Sequence, residues 1–321
     1  MLKLSNLHRS PYFQIQLDER SAEASPQIIK GISLFTHLQS LFLEIAHPGC
    51  TSKTFSDVLV TVSKTTSLKS LKIRMNFSQM SPTANQDLNN IAKKFEKLKY
   101  LHIQLTLTAS IENPDGFFSN LGSFPVIKYL NFEIFSKTDK LKCFDAFKFA
   151  SQQENLQTLK FKTFHLLPQE YAGLFQNVQE MNSLTNLCIA EQERYSMRFD
   201  YSIVFQALEA LKNLKSLKIH LGYYGLGAHE METFLNILSS HPSLEKVGIS
   251  IKMDRMSKRP YDFDEEFYQK ITNLRRKLRS FKILLIVFSG PEYDAVYERV
   301  CKIIIPNGKP NKLFACEKKC C

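Results

Sequence analysis

Residues 68–73 read Leu68-Lys69-Ser70-Leu71-Lys72-Ile73, and residues 214–219 repeat that string as Leu214-Lys215-Ser216-Leu217-Lys218-Ile219. Aliphatic residues stand at positions one, four and six. The same pattern, with aliphatic or aromatic residues, occurs at Leu38-Leu41-Leu43, Leu98-Leu101-Ile103, Ile127-Leu130-Phe132, Leu156-Leu159-Phe161, Leu184-Leu187-Ile189, Leu244-Val247-Ile249 and Leu278-Phe281-Ile283. A degenerate earlier copy is read at Tyr12-Ile15-Leu17. Successive first positions from Leu38 to Leu278 lie 30, 30, 29, 29, 28, 30, 30 and 34 residues apart, a regularity that unrelated strands do not keep.

Positions four and six are two apart, so on a strand both side chains point to one side, into a core. A strand this short buries its apolar face only against copies of itself, which predicts a parallel sheet built one strand per repeat. Between strands the apolar spacing changes to three and four: Val58, Leu59 and Val62; Leu88, Ile91 and Phe95; Leu174, Phe175 and Val178. Val204, Phe205, Leu208 and Leu211 continue it, then Met231, Phe234, Leu235 and Leu238, then Phe267, Ile271 and Leu274. These are core-facing helix stripes. Their starts are read at Ser56-Asp57, Pro168-Gln169-Glu170 and Asp264-Glu265-Glu266, where caps and acids suit a helix N-terminus. Helices are wider than strands are spaced, so stacking both predicts a curved α/β solenoid.

The six-residue segments resemble the leucine-rich-repeat consensus, and the period with a full helix in each unit resembles the ribonuclease-inhibitor-like subclass. The resemblance covers residues 12–305 and implies a right-handed horseshoe of about nine to ten repeats, with a parallel inner sheet and convex helices. One departure concerns position nine, where the family often places Asn or Cys at the turn. Here that position holds Ala46, Asn76, Thr106, Phe135, Phe164, Gln192, Gly222 and Lys252, so less regular turns are expected. The family's activities, such as nuclease inhibition, are not carried over, because no residue matches a functional motif of those members.

The expected organisation is a repeat domain over 1–305 and a basic, cysteine-containing tail over 306–321. The hydrophobic share is 44%, enough for a continuous core. There is no run of about 18 uncharged apolar residues and no apolar segment near Met1, so the chain is expected inside the cell, in the cytoplasm. Cys50, Cys143, Cys188 and Cys301 are scattered, mostly beside apolar residues, and suit thiols that behave as small hydrophobes in a reducing compartment; no Cys-x-x-Cys pair supports a metal. The formal net charge is +11, which favours an acidic partner.

Strand positions three, five and seven point away from the core and form the expected binding wall. They include Phe42, Tyr100 and Tyr129, aromatics on a wet face, and His102 and His220. They also include the bases Lys72, Arg74, Lys160, Lys162, Lys218, Lys246 and Lys282 against Asp18, Glu44 and Glu133. Aromatics are common interface anchors. The same lysines also suit ordinary solvated positions that discourage sheet aggregation. A protein partner, with an acidic segment docked on the inner wall, is the leading expectation. The chain is then a scaffold or adaptor, or a regulator gripping an enzyme. Nucleic acid ranks lower, because the lysines are dispersed among neutral residues and arginine-rich segments are lacking. A monomer is expected. The longest spacing adds residues around 253–262, including Arg255, Lys258, Arg259 and Pro260, a loop suited to specificity.

The tail runs from Lys312 to Cys320 and Cys321, with Cys316 and several lysines. It resembles the lipidated tails of Rab-type small GTPases, and cysteines beside bases suit acylation. Membrane association would come only through it. Against this, position 318 is Lys318, not the Cys of a four-residue prenylation box, and the GTPase domain that directs Rab prenylation is missing. No phosphate-cradling loop or nucleophile elbow occurs; Gly222-Gly225-Gly227 lacks the following Lys-Ser or Lys-Thr. His47, His165, His229 and His241 have no acid at ligand spacing. No enzyme activity, cofactor or metal is expected.

Overall fold

The computed structural model describes residues 11–17, 25–32, 34–35, 37–45, 52–77, 88–107, 122–136, 144–164, 168–192, 200–221, 228–253 and 265–287. These form ten strands in one parallel sheet, ordered in space as in sequence, and eight helices. The chain divides into two compact units between Ser183 and Leu184.

The first unit holds strands β1 (Tyr12–Leu17), β2 (Ser40–Ile45), β3 (Ser70–Phe77), β4 (Tyr100–Leu107), β5 (Tyr129–Ser136) and β6 (Thr158–Phe164). Its helices are α1 (Ser25–Ile32), α2 (Ser52–Val62), α3 (Leu88–Lys93), α4 (Phe144–Ser151) and α5 (Pro168–Val178). The second unit holds β7 (Asn186–Gln192), β8 (Ser216–Leu221), β9 (Lys246–Met253) and β10 (Ser280–Val287), with α6 (Ser202–Ala210), α7 (Ala228–Ser240) and α8 (Glu265–Lys277).

Register follows the repeat residue by residue. Leu41, Leu71, Leu101, Leu130 and Leu159 align, as do Leu43, Ile73, Ile103, Phe132 and Phe161. All ten side chains are buried. Burial also extends to position eight, at Ile45, Met75, Leu105 and Ile134. Position nine therefore lies inside the strands here: Asn76, Thr106 and Phe135 are paired neighbours. At these three positions the strand continues, so even Asn76, the one match to the family's turn residue, does not sit at a turn.

Two readings are corrected. The degenerate first copy is offset by two: Tyr12 pairs with Ser40 at position three, so Phe13, Ile15 and Leu17 occupy positions four, six and eight. A shift of two keeps every side chain on its own face, which is why spacing alone did not reveal it. Leu17 is buried, and Phe13 stacks on Phe35 with ring centroids 5.0 Å apart. Helix α2 starts at Ser52, not at Ser56-Asp57. The apolar stripe begins one turn earlier, at the fully buried Phe55, and Ser56 is itself buried within the helix. By contrast α5 opens on Pro168, whose missing N–H costs nothing at a first helical position. Helix α8 has Glu265 and Glu266 in its first turn and Arg275, Arg276 and Lys277 in its last, complementing the helix dipole at both ends.

The approach to each strand is as regular as the strand itself. Three residues before position one, a side chain is buried in every repeat from Leu38 to Leu244: Phe35, Thr65, Phe95, Phe124, Gln153 and Met181 in the first unit, Leu211 and His241 in the second. At position two, one carbonyl accepts two amide protons from the next repeat. Lys69 N–H and Ser70 N–H both donate to Gln39 O, at 2.8 and 3.0 Å, and Lys99 and Tyr100 donate likewise to Lys69 O. Lys128 and Tyr129 repeat this on Lys99 O, and Lys215 and Ser216 on Thr185 O. Just before position one, a short polar side chain ties neighbouring repeats: Ser67 Oγ donates to Leu38 O at 2.8 Å, and Ser183 Oγ to Leu156 O at 2.8 Å. These bonds satisfy turn carbonyls that would otherwise be left without partners.

No helix among the described residues is long and apolar enough to cross a membrane.

Candidate functional site

Alternation along β2 to β6 puts positions three, five and seven on the face opposite the core, and the parallel register turns them into three rows. The middle row runs Phe42, Lys72, His102, Asn131, Lys160. The flanking rows are Ser70, Tyr100, Tyr129, Thr158 and Glu44, Arg74, Gln104, Glu133, Lys162. Predicted site residues far apart in sequence thus become immediate neighbours.

The cations of this face are engaged with it. Lys72 Nζ lies 4.6 Å from the centroid of the Phe42 ring on the preceding strand. Lys160 Nζ lies 5.2 Å from that of Tyr129, and Lys162 Nζ 5.4 Å from that of Phe135. Arg74 pairs with Glu44 at 3.0 Å. A cation over an exposed ring is worth about 0.5–1 kcal/mol, and an exposed ion pair about as much or less. In this unit aromatic rings and carboxylates of adjacent strands thus already partner the bases of the wall.

His102 sits at the middle of the face. Its Nε2 stands 3.2 Å from Glu133 Oε1, without hydrogen-bond geometry. Glu133 Oε1 instead accepts a bond from Asn131 Nδ2 at 3.2 Å. Asn131 is buried although it faces away from the core, because His102 and Lys160 flank it. Burial is the main cause that lowers the His102 pKa below the ordinary histidine value; Glu133 opposes it, and Lys72 and Lys160 add to it. Burial thus favours the neutral form of the imidazole.

Tyr100 is the most prominent apolar group on the face, 53% exposed on a strand paired on both sides. Its ring leans on Tyr129, centroids 5.8 Å apart and planes at 43°. Tyr129 is half-buried between Tyr100 and the Lys160 ammonium.

In the second unit Lys218 and Lys246 are exposed on β8 and β9. Lys218 aligns with Cys188 on one side and Gly248 on the other, and its stem lies alongside Gly248. His220 and Lys282 lie in β8 and β10, opposite Ser250 and Gly248, with side chains outside the description. Asp18, Cys50, Cys143, Cys301, His47, His165, the 222–227 glycine stretch, residues 254–264 of the longest spacing and the whole tail with Cys316, Cys320 and Cys321 lie outside the described residues.

Among the described residues no group of three His, Cys, Asp or Glu side chains is placed to hold a metal. His241 is a packing residue: its Nε2 lies 3.1 Å from Leu211 O, and its Nδ1 accepts from Ser243 N–H at 3.3 Å. Spacing alone left His241 as one histidine among several near helix ends, and only the structure ties it to the preceding repeat. Sequence reasoning also missed Phe135. As the position-nine residue it was read for its turn role, whereas it carries a cation.

No family model matches the chain, and no curated protein is found to be similar to it.

Proposed function

We propose that this chain is a leucine-rich-repeat solenoid of the ribonuclease-inhibitor-like kind that works as a non-enzymatic scaffold or adaptor. Its protein partner sits on the strand face of the first unit. The repeat spacing and the one-strand-per-repeat parallel sheet support the repeat reading. The observation that carries the binding reading is Tyr100, a large ring left 53% exposed against Tyr129 on a strand face whose cations already have partners. Rigid tyrosines lose little entropy on binding and supply both contact area and a hydroxyl. The neighbouring lysines hold the surrounding rings in place and form a polar rim.

Nucleic acid fits this face less well. Bases bind by stacking on free aromatic faces, but Phe42, Tyr129 and Phe135 each have a lysine ammonium over the ring. A regulator of an enzyme would use the same contacts and differ only in the identity of the partner.

Affinity purification with mass spectrometry, comparing wild type with Tyr100→Ala/Tyr129→Ala, tests the proposal. A partner enriched by wild type is expected to bind the variant at least tenfold more weakly in a purified assay, a loss of about 1.4 kcal/mol or more. Equal binding of every such partner would refute the site.

A further inference from the structure

A further set of exposed cations of the first unit stands at the edge of the strand face, where the strands begin. Position two reads Gln39, Lys69, Lys99, Lys128, Gln157 along β2 to β6. Three lysines therefore stand on consecutive strands, bracketed by glutamines. Direct backbone bonds set their neighbourhood: Lys99 N–H donates to Lys69 O at 2.9 Å, and Lys128 N–H to Lys99 O at 2.9 Å. All three side chains are exposed. Lys69 Nζ reaches only the neutral Gln39 Oε1, at 3.1 Å. Lys99 and Lys128 have no ion pair or ring contact among the described residues.

The turns leading into these strands add to the charge. Residues 63–70, 93–100 and 122–129 also carry Lys64, Lys93, Lys94 and Lys97, all exposed, with Glu96 as the sole acid among them. Like charges on adjacent strands, about 4.8 Å apart at the backbone, repel each other. The backbone cannot spread to relieve this, because each position-two carbonyl from Gln39 to Lys128 holds two amide protons of the next repeat. The arrangement is specific to this stretch. At the same position the second unit reads Thr185, Lys215, Glu245, Arg279, so an acid stands between its two cations.

We infer that the Lys69–Lys99–Lys128 edge is a second docking element, which takes an acidic polypeptide segment laid across the starts of β3 to β5. This goes beyond the tyrosine site of the strand face, and the two can fail separately. An extended chain advances about 3.3–3.6 Å per residue, so carboxylates on a short acidic run reach successive lysines without a fixed register. A polypeptide is favoured over nucleic acid by the chemistry of the edge. Its seven cations are all lysine, with no arginine fork for bidentate phosphate contacts. Of the rings beside it, Tyr129 already carries the Lys160 ammonium, so Tyr100 alone presents an open ring, too little for a run of stacked bases.

The test uses the full chain and two labelled probes, an oligoglutamate peptide and a single-stranded oligonucleotide of matched charge, titrated at low and moderate salt. Lys69→Gln/Lys99→Gln/Lys128→Gln is expected to weaken peptide binding at least tenfold, and Lys99→Glu alone severalfold. Lys72→Gln/Lys160→Gln, on the strand face, is expected to change it less than threefold. Circular dichroism melts shared with wild type would show that the edge variants fold. Peptide binding that survives both edge variants overturns the inference, as does equal loss in the face variant. Tighter binding of the oligonucleotide through the same lysines also overturns it and makes the edge a nucleic-acid surface.

Discussion

The two units use the same repeat to make different outward faces. In the first, β2 to β6 place a ring or a carboxylate next to each cation: Phe42 beside Lys72, Glu44 beside Arg74, Tyr129 beside Lys160, Phe135 beside Lys162. In the second, Lys218 stands between Cys188 and Gly248, and Lys246 between Ser216 and Ser280, where no ring or carboxylate reaches them among the described residues. A lysine at position five therefore carries no meaning by itself. Its role depends on the residue at the same position about 30 residues away in the neighbouring repeat. Aromatic neighbours make it part of a preformed surface; small neighbours leave it a solvated charge whose stem covers the strand.

Aromatic rings link repeats inside both units; in the second, Phe205 stacks on Phe234 at 5.9 Å. The first unit strings phenylalanines through its repeats: Phe95 meets Phe124 at 5.6 Å, Phe124 meets Phe149 at 6.0 Å, and Phe149 meets Phe132 at 5.7 Å. The largest expected effect is therefore Phe149→Ala, which removes the ring linking two others. Large-to-small changes of this kind cost about 3–5 kcal/mol, read by urea unfolding. A loss below about 1 kcal/mol would show that the aromatic string is not what holds this unit together.

Each unit also has a polar residue at the buried post three before position one, Gln153 in the first and His241 in the second. His241 takes the place that Phe95 and Phe124 fill in the first, and it ties Leu211 O to Ser243 N–H. His241→Leu leaves both backbone groups without that partner, at a cost of about 1–3 kcal/mol. The cost is expected to depend on pH. Burial lowers the His241 pKa, helped by Lys212 and Lys277 and opposed by the Leu211 carbonyl. The unfolded chain then binds the proton first, so the stability His241 contributes is complete above its ordinary pKa of 6.5 and declines as pH falls below it. The gap between wild type and variant should narrow from pH 7.5 to pH 5.5, as measured by thermal melts at both values. A constant gap would mean that the imidazole does not titrate differently on folding.

The smallest effects bear directly on the contrast between the faces. Lys72→Met removes an ammonium from a ring and is expected to cost about 0.5–1 kcal/mol. Lys218→Met has no such partner to lose and should stay within about 0.5 kcal/mol. Equal losses in chemical denaturation would erase the distinction drawn between the two faces.

Much of the fold was legible because burial in a short strand is a local pattern. Leu71 and Ile73 announce their own inward direction, and the spacing to Leu101 and Ile103 announces the neighbour. The errors fell where two arrangements bury the same side chains. Tyr12-Ile15-Leu17 read two positions early, since either offset keeps Ile15 and Leu17 inside. The start of α2 was read at Ser56-Asp57 because a capping residue type looks alike inside and outside a helix. The candidate face was legible as a set of residues: Phe42, Lys72, Arg74, Tyr100, His102, Tyr129, Lys160 and Lys162 do share one surface. Their pairwise roles were not, nor was the lysine edge. That edge sits at position two, where no apolar alternation draws attention to it.

The sequence by itself determined the period, the alternation within each strand and thus the parallel order of the sheet, because hydrophobic burial needs only the nearest residues and their spacing. The tertiary structure decided which cation meets which ring, why burial lowers the His102 pKa and why Lys69, Lys99 and Lys128 stand together. Those contacts join residues about 30 positions apart and depend on the exact register of neighbouring strands, which a run of side chains read alone does not contain.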